Sequence, residues 1–144
     1  MAAPSVSTAA STTSPTPTAP PGATLLEAEG NVAVVRGVLS RDPRATALAS
    51  GSTVWQLDVT VHEDDRPAAS VPVAWFDPPA SAASLAAGRE VVVVGRVVRR
   101  FFRAGGGTAS RTEVVADRVV PASARVRVRT AIAGAVARLG ADAA

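Results

Sequence analysis

The sequence predicts an all-β domain: a five-stranded Greek-key barrel with one short helix between its third and fourth strands. Three observations predict it. Valine-rich segments with period-two alternation recur between residues 31 and 120. Clusters of Gly, Pro, Asp and Ser separate those segments. A single alanine-rich stretch, residues 80–87, interrupts the series after its third member.

The first strand is NVAVVRGVL, residues 31–39, and the turn residues of SRDPRATALASG after it predict a loop. The second is STVWQLDVTVH, where Leu57, Val59 and Val61 repeat at period two and Gln56, Asp58 and Thr60 face the other way. EDDRPAAS reads as a hairpin turn, and VPVAWF as a third strand whose Pro72 points to an edge or a bulge. In the helix that follows, Asp77 is placed to cap, Pro78 suits the first turn, residues 80–87 are helix formers around Leu85, and Gly88 terminates. A fourth strand is predicted over residues 90–103, AGGG turns the chain, and SRTEVVADRVV returns antiparallel as the fifth.

The ends differ in composition from this domain. Residues 1–26 are almost entirely Ala, Ser, Thr and Pro, too poor in large apolar side chains to offset backbone ordering, and read as a disordered tail. They lack the cationic start and continuous apolar run of a secretory signal, and no segment is long enough to span a bilayer, so a soluble, cytoplasmic protein is expected. The domain occupies residues 27–121. The basic extension 122–144 continues with Arg125, Arg127 and Arg129 alternating with valines, as an added strand or a basic tail, and residues 131–139 could form a short helix burying Ile132, Val136 and Leu139. There is no cysteine, which excludes disulfides and thiolate metal sites.

All 15 basic residues are arginine, and 11 of them lie from Arg89 onward against four carboxylates, so the basic face belongs to the C-terminal half. Within it, GREVVVVGRVVRRFFRAGGGTASRTEVVADRVV interleaves arginines with two adjacent phenylalanines. A solvated charge run has no need of Phe101 and Phe102, and a buried strand would not carry Arg96, Arg99, Arg100 and Arg103. Cations beside flat rings suit a polyanion with exposed bases, which is single-stranded nucleic acid. Arg96, Arg100 and Phe102 share one side of an ideal strand, so a base stacked on Phe102 would leave its phosphates near those guanidiniums. Phe101 points to the opposite face, toward core or subunit-interface packing.

Five short strands with one helix between the third and fourth is the order of the OB-fold. GVLSRDP at 37–43, GSTVWQLDV at 51–59, Phe76 closing the third strand, LAAGREVVVVGRV at 85–97 and RTEVVADRVV at 111–120 together resemble the bacterial single-stranded DNA-binding protein family, over most of residues 31–120. The resemblance implies non-catalytic binding of single-stranded DNA with little sequence preference, in replication, recombination or repair, by a nucleoid-associated homo-oligomer, a tetramer or a dimer. Phe76 and Phe102 fall where that family places stacking aromatics. If Phe76 stacks, the adjacent Trp75 fills the barrel or an interface, and Trp55 is assigned to the binding face. Arg103 and Arg111 join Arg96 and Arg100 as candidate phosphate contacts. Arg36, Arg41 and Arg44, around the first strand and its loop, suit phosphate contact or a solvated rim.

The chain departs from that family in three places. Ser70, Val71 and Pro72 stand where an aromatic is common, the hairpin after Val61 is short, and the end ARVRVRTAIAGAVARLGADAA lacks an acidic, aromatic-tipped peptide, so recruitment of partners by that route is not expected. Catalysis finds little support: His62 is the one histidine, its cluster with Glu63, Asp64 and Asp65 reads as solvated turn chemistry and not as a metal site, and Gly105 to Gly107 lack the Lys and Ser or Thr of a phosphate-binding loop. No cofactor and no metal is expected. The alternative reading is a diverged OB-fold interaction module that binds a protein partner or forms mixed oligomers, with weak or no DNA binding.

Overall fold

The computed structural model describes residues 30–140. The tail expected over residues 1–26 lies outside them. Six strands and one α-helix follow in order: β1 (Ala33–Leu39), β2 (Arg44–Ala47), β3 (Thr53–Val61), β4 (Ala69–Phe76), β5 (Glu90–Ala104), β6 (Gly107–Pro121) and α1 (Arg125–Arg138). The strands form one sheet in the order β1-β5-β6-β4-β3-β2, and β1 also pairs with β3 through Val38–Thr60 and Leu39–Val59. The pairings therefore return to β1, and the body is all-β and barrel-like. Only β4 and β6 run parallel, at Val73–Val114 and Ala74–Val115.

Period-two alternation builds the core. Leu57 and Val59 of β3, Val73 and Trp75 of β4, Val91 and Val93 of β5, and Val114, Ala116 and Val119 of β6 are buried together with Leu39 and Leu85. Each large aliphatic side chain buried this way contributes about 1.5–3 kcal/mol. Pro72 lies in the part of β4 that pairs only with β3, opposite Asp58, where its missing N–H costs no ladder bond.

Four features differ from the sequence reading. A sixth strand, β2, occupies the segment expected to be a loop; all four of its side chains are exposed, so it carries no hydrophobic alternation, and its pairing with residues 53–56 of β3 makes it. The expected helix over residues 80–87 is a 3₁₀ helix, Ala80–Ser84, with no side-chain cap. Asp77 instead adopts a left-handed backbone, φ 46°, and its Oδ1 accepts a hydrogen bond from Thr53 N at 2.9 Å, which extends the β3–β4 ladder. Finally, the alternating RVRVR segment is the first turn and more of α1. The helix buries the small Ala131 and Ala135 against Val94 and Val120, leaving Ile132 and Leu139 exposed.

Two irregularities in the long β5–β6 hairpin position the site. Between Val94 and Gly95 the register slips, leaving Asp117 as an extra residue on β6. At Gly95 the strands come so close that a Cβ would collide with the Val115 carbonyl oxygen. Two residues further, the Asn31 side chain takes the place of a neighbouring strand: Nδ2 donates to Val97 O and Val97 N donates to Oδ1, both at 2.9 Å. Beyond this point β5 loses β1 as a neighbour, and residues 99–104 with 107–112 continue as a two-stranded arm. Its tip turns through Gly105 and Gly106, both at positive φ, which two-residue hairpins require.

Candidate nucleic-acid interface

The arm and the β2–β3 hairpin enclose an open groove of about 390 Å³, lined by Arg44, Thr46, Gln56, Arg100, Phe102, Arg111 and Glu113. The cross-strand partners account for this grouping. Arg44 pairs with Gln56, Arg100 with Arg111 and Phe102 with Ala109, and each pair shares the sheet face opposite the core. Phe102 is 44 % exposed, an open ring on the groove wall.

Charge in the groove is predominantly positive. Arg100 and Arg111 face each other directly across the ladder, an arrangement that destabilises a sheet unless an anion lies between. Glu113, diagonal to Arg100, is the one buried charged side chain among the described residues. Arg100 Nη2 lies 2.6 Å from Glu113 Oε1. That contact is out of line for a hydrogen bond, and Oε1 has no hydrogen-bond partner. At the groove's β2 edge, Asp58 Oδ2 is 3.0 Å from Arg41 Nε and 4.0 Å from Arg44 Nη2, so one carboxylate is shared by two guanidiniums.

The sequence-predicted residues divide between the groove and other places. Phe102, Arg100 and Arg111 line it. Arg41 stands at its edge through Asp58. Arg96 and Phe76 lie on the same sheet face outside the lining, Arg96 opposite Val115 and Phe76 opposite Val54. Phe76 is 39 % exposed, and Arg96 makes no ion pair among the described residues. Arg103 is on the opposite face of the arm, pairing with Thr108.

Arg36 does not join them. It pairs with Val92, eight residues along β5 from Arg100, or roughly 26 Å of extended strand. There Arg36 Nε donates to Glu90 Oε1 at 2.7 Å, and the hydrogen bond with the attraction of that carboxylate raises its pKa further.

Trp55 is a correction. It stands opposite Trp75 in the β3–β4 ladder and packs against the core, so its side chain leaves from the face away from Phe102. The parity that places Leu57 and Val59 inward also places Trp55 inward, with no bulge to reverse it. Trp75 fills the core as expected. Phe101, expected in a core or an interface, is 66 % exposed on the back of the arm. The Arg99 guanidinium lies 5.6 Å from its ring centroid, and Arg99 Nε and Nη2 donate to Ser110 Oγ at 3.1 and 2.9 Å.

Three lining residues, Thr46, Gln56 and Glu113, were missed as site residues. Gln56 carried a signal, an outward polar position on a regular strand. Glu113 carried only its place as a single carboxylate between arginines and valines. Among the described residues no three His, Cys, Asp or Glu side chains cluster as a metal site would require, and no helix is long and apolar enough to cross a membrane.

No protein-family model matches this chain, and no curated protein matches it.

Proposed function

We propose that this chain is a non-catalytic OB-fold module that binds single-stranded DNA by stacking bases on Phe102 and Phe76 and holding phosphates with Arg44, Arg96, Arg100 and Arg111. The observation that carries the reading is the groove itself: an exposed ring beside two arginines paired across the ladder, of which Arg100 meets the carboxylate of Glu113 and Arg111 makes no ion pair among the described residues. A strand of nucleic acid supplies both missing partners, a base for the ring and a phosphate for the cations. Duplex would offer the phosphates and withhold the base faces. Each stack is worth about 1–3 kcal/mol, so two rings and a few phosphate contacts suffice for useful affinity.

The resemblance to bacterial single-stranded DNA-binding proteins supports the same reading and extends it to a homo-oligomer acting in replication, recombination or repair. The exposed apolar side chains Val34 of β1 and Ile132 and Leu139 of α1 favour assembly, and they also favour the second reading, an interaction module. Photochemical cross-linking of a bromodeoxyuridine strand separates the two. Adducts at Phe102 or Phe76 support stacking in the groove; adducts confined to α1, or none, would favour the interaction module.

A further inference from the structure

We propose that Glu113 gives the groove a base preference, accepting hydrogen bonds from the Watson–Crick edge of one stacked base and so selecting guanine over thymine. The inference rests on the single-strand reading above. Glu113 is 4 % exposed and lies in the groove lining with Gln56, Arg100 and Phe102. Its Oε1 is buried and accepts no hydrogen bond, although Arg100 Nη2 is 2.6 Å away. The pair therefore balances charge and leaves an acceptor unsatisfied. An oxygen held by charge alone, with no aligned donor, is bound less strongly than one in a charge-assisted hydrogen bond, and a donor of better geometry would improve on it. A base donor entering from the groove, once Arg100 swings aside, is such a donor.

A carboxylate beside a guanidinium only accepts. Guanine presents two adjacent donors, N1–H and the N2 amino group, which match the two carboxylate oxygens. Cytosine and adenine each present one amino group beside a ring-nitrogen acceptor. Thymine presents N3–H between two carbonyl oxygens that repel the carboxylate. Watson–Crick edges are open to such reading only in a single strand. Phe102 supplies the plane on which the base rests. Arg100, half exposed, turns from Glu113 to the phosphate as the base arrives.

The test is a competition titration of the full chain with three strands of about twelve nucleotides, within the range one such fold occupies. One is oligo-dT, one has its central thymine replaced by guanine, and one has it replaced by hypoxanthine, which keeps N1–H and lacks the amino group. The guanine strand is expected to bind about tenfold more tightly than oligo-dT, as bidentate base contacts do, with the hypoxanthine strand between them. Glu113→Gln should bind all three alike. Equal wild-type affinity for the three strands overturns the base preference and leaves the single-strand reading standing; failure to bind any of them overturns both. Should Glu113→Gln fail to fold, the three-strand comparison on the wild-type chain decides alone.

Discussion

Arg100 and Arg111 stand directly opposite each other on the β5–β6 ladder, on the groove side of the sheet. Like charges so placed repel, and the pair costs the sheet some stability. Glu113 relieves Arg100 from the diagonal position, but Arg111 has no carboxylate partner among the described residues. Under the proposed function, a phosphate of the bound strand is the partner that Arg111 takes.

Removing the groove's ring should weaken binding without unfolding the protein. Phe102→Ala is expected to reduce single-strand affinity by about 1–3 kcal/mol. Its ring is 44 % exposed, so the melting temperature should stay close to wild type. Titration and thermal denaturation of the same preparation check both halves.

Phosphate contacts have a separate signature. Arg111→Ala should lower the slope of log K against log salt by about 0.7, one counterion's share on a single strand. Arg36→Ala, paired with Glu90 and far along β5, should leave the slope unchanged. A salt series on the two variants distinguishes them.

Tryptophan emission should respond little to nucleic acid. Trp55 and Trp75 oppose one another on the core face of the β3–β4 ladder, with the sheet between them and Phe102. Saturation with oligo-dT should leave emission near that of the buffer control; strong quenching would place a base on Trp55 and reverse the assignment of that residue.

Gly95→Ala tests the origin of the bulge. A methyl there collides with the Val115 carbonyl oxygen and comes 2.9 Å from Ala116 Cα, both main-chain atoms that cannot swing aside. The expected cost is about 1–3 kcal/mol, as for other overpacked sites. Urea denaturation measures it. Because the bulge sets how the arm leaves the body, single-strand affinity should fall as well.

Period-two parity made much of this site legible in the sequence. The same rule that turned Leu57 and Val59 inward set Arg100 and Phe102 on one side of β5, and both assignments hold in the structure. Trp55 was misplaced by allowing a bulge where the β3–β4 ladder is regular. The strand β2 was invisible because none of its side chains is buried, so pairing, not patterning, makes it. RVRVR alternates as a strand would, yet it lies in a helix that docks through Ala131 and Ala135, two residues too small to announce a buried face. For Glu113 the sequence offers only a single carboxylate among arginines and valines, and nothing that marks it as buried. It lines the groove where the arm and the β2–β3 hairpin approach each other, and no local spacing encodes that approach.

Single-strand binding in the groove is tested most directly by fluorescence anisotropy of a labelled oligo-dT strand titrated with the full chain at low and moderate salt, with unlabelled duplex as competitor. The groove predicts binding that weakens as salt rises and that duplex does not displace. No binding at low salt, or displacement by duplex as readily as by unlabelled single strand, would contradict it.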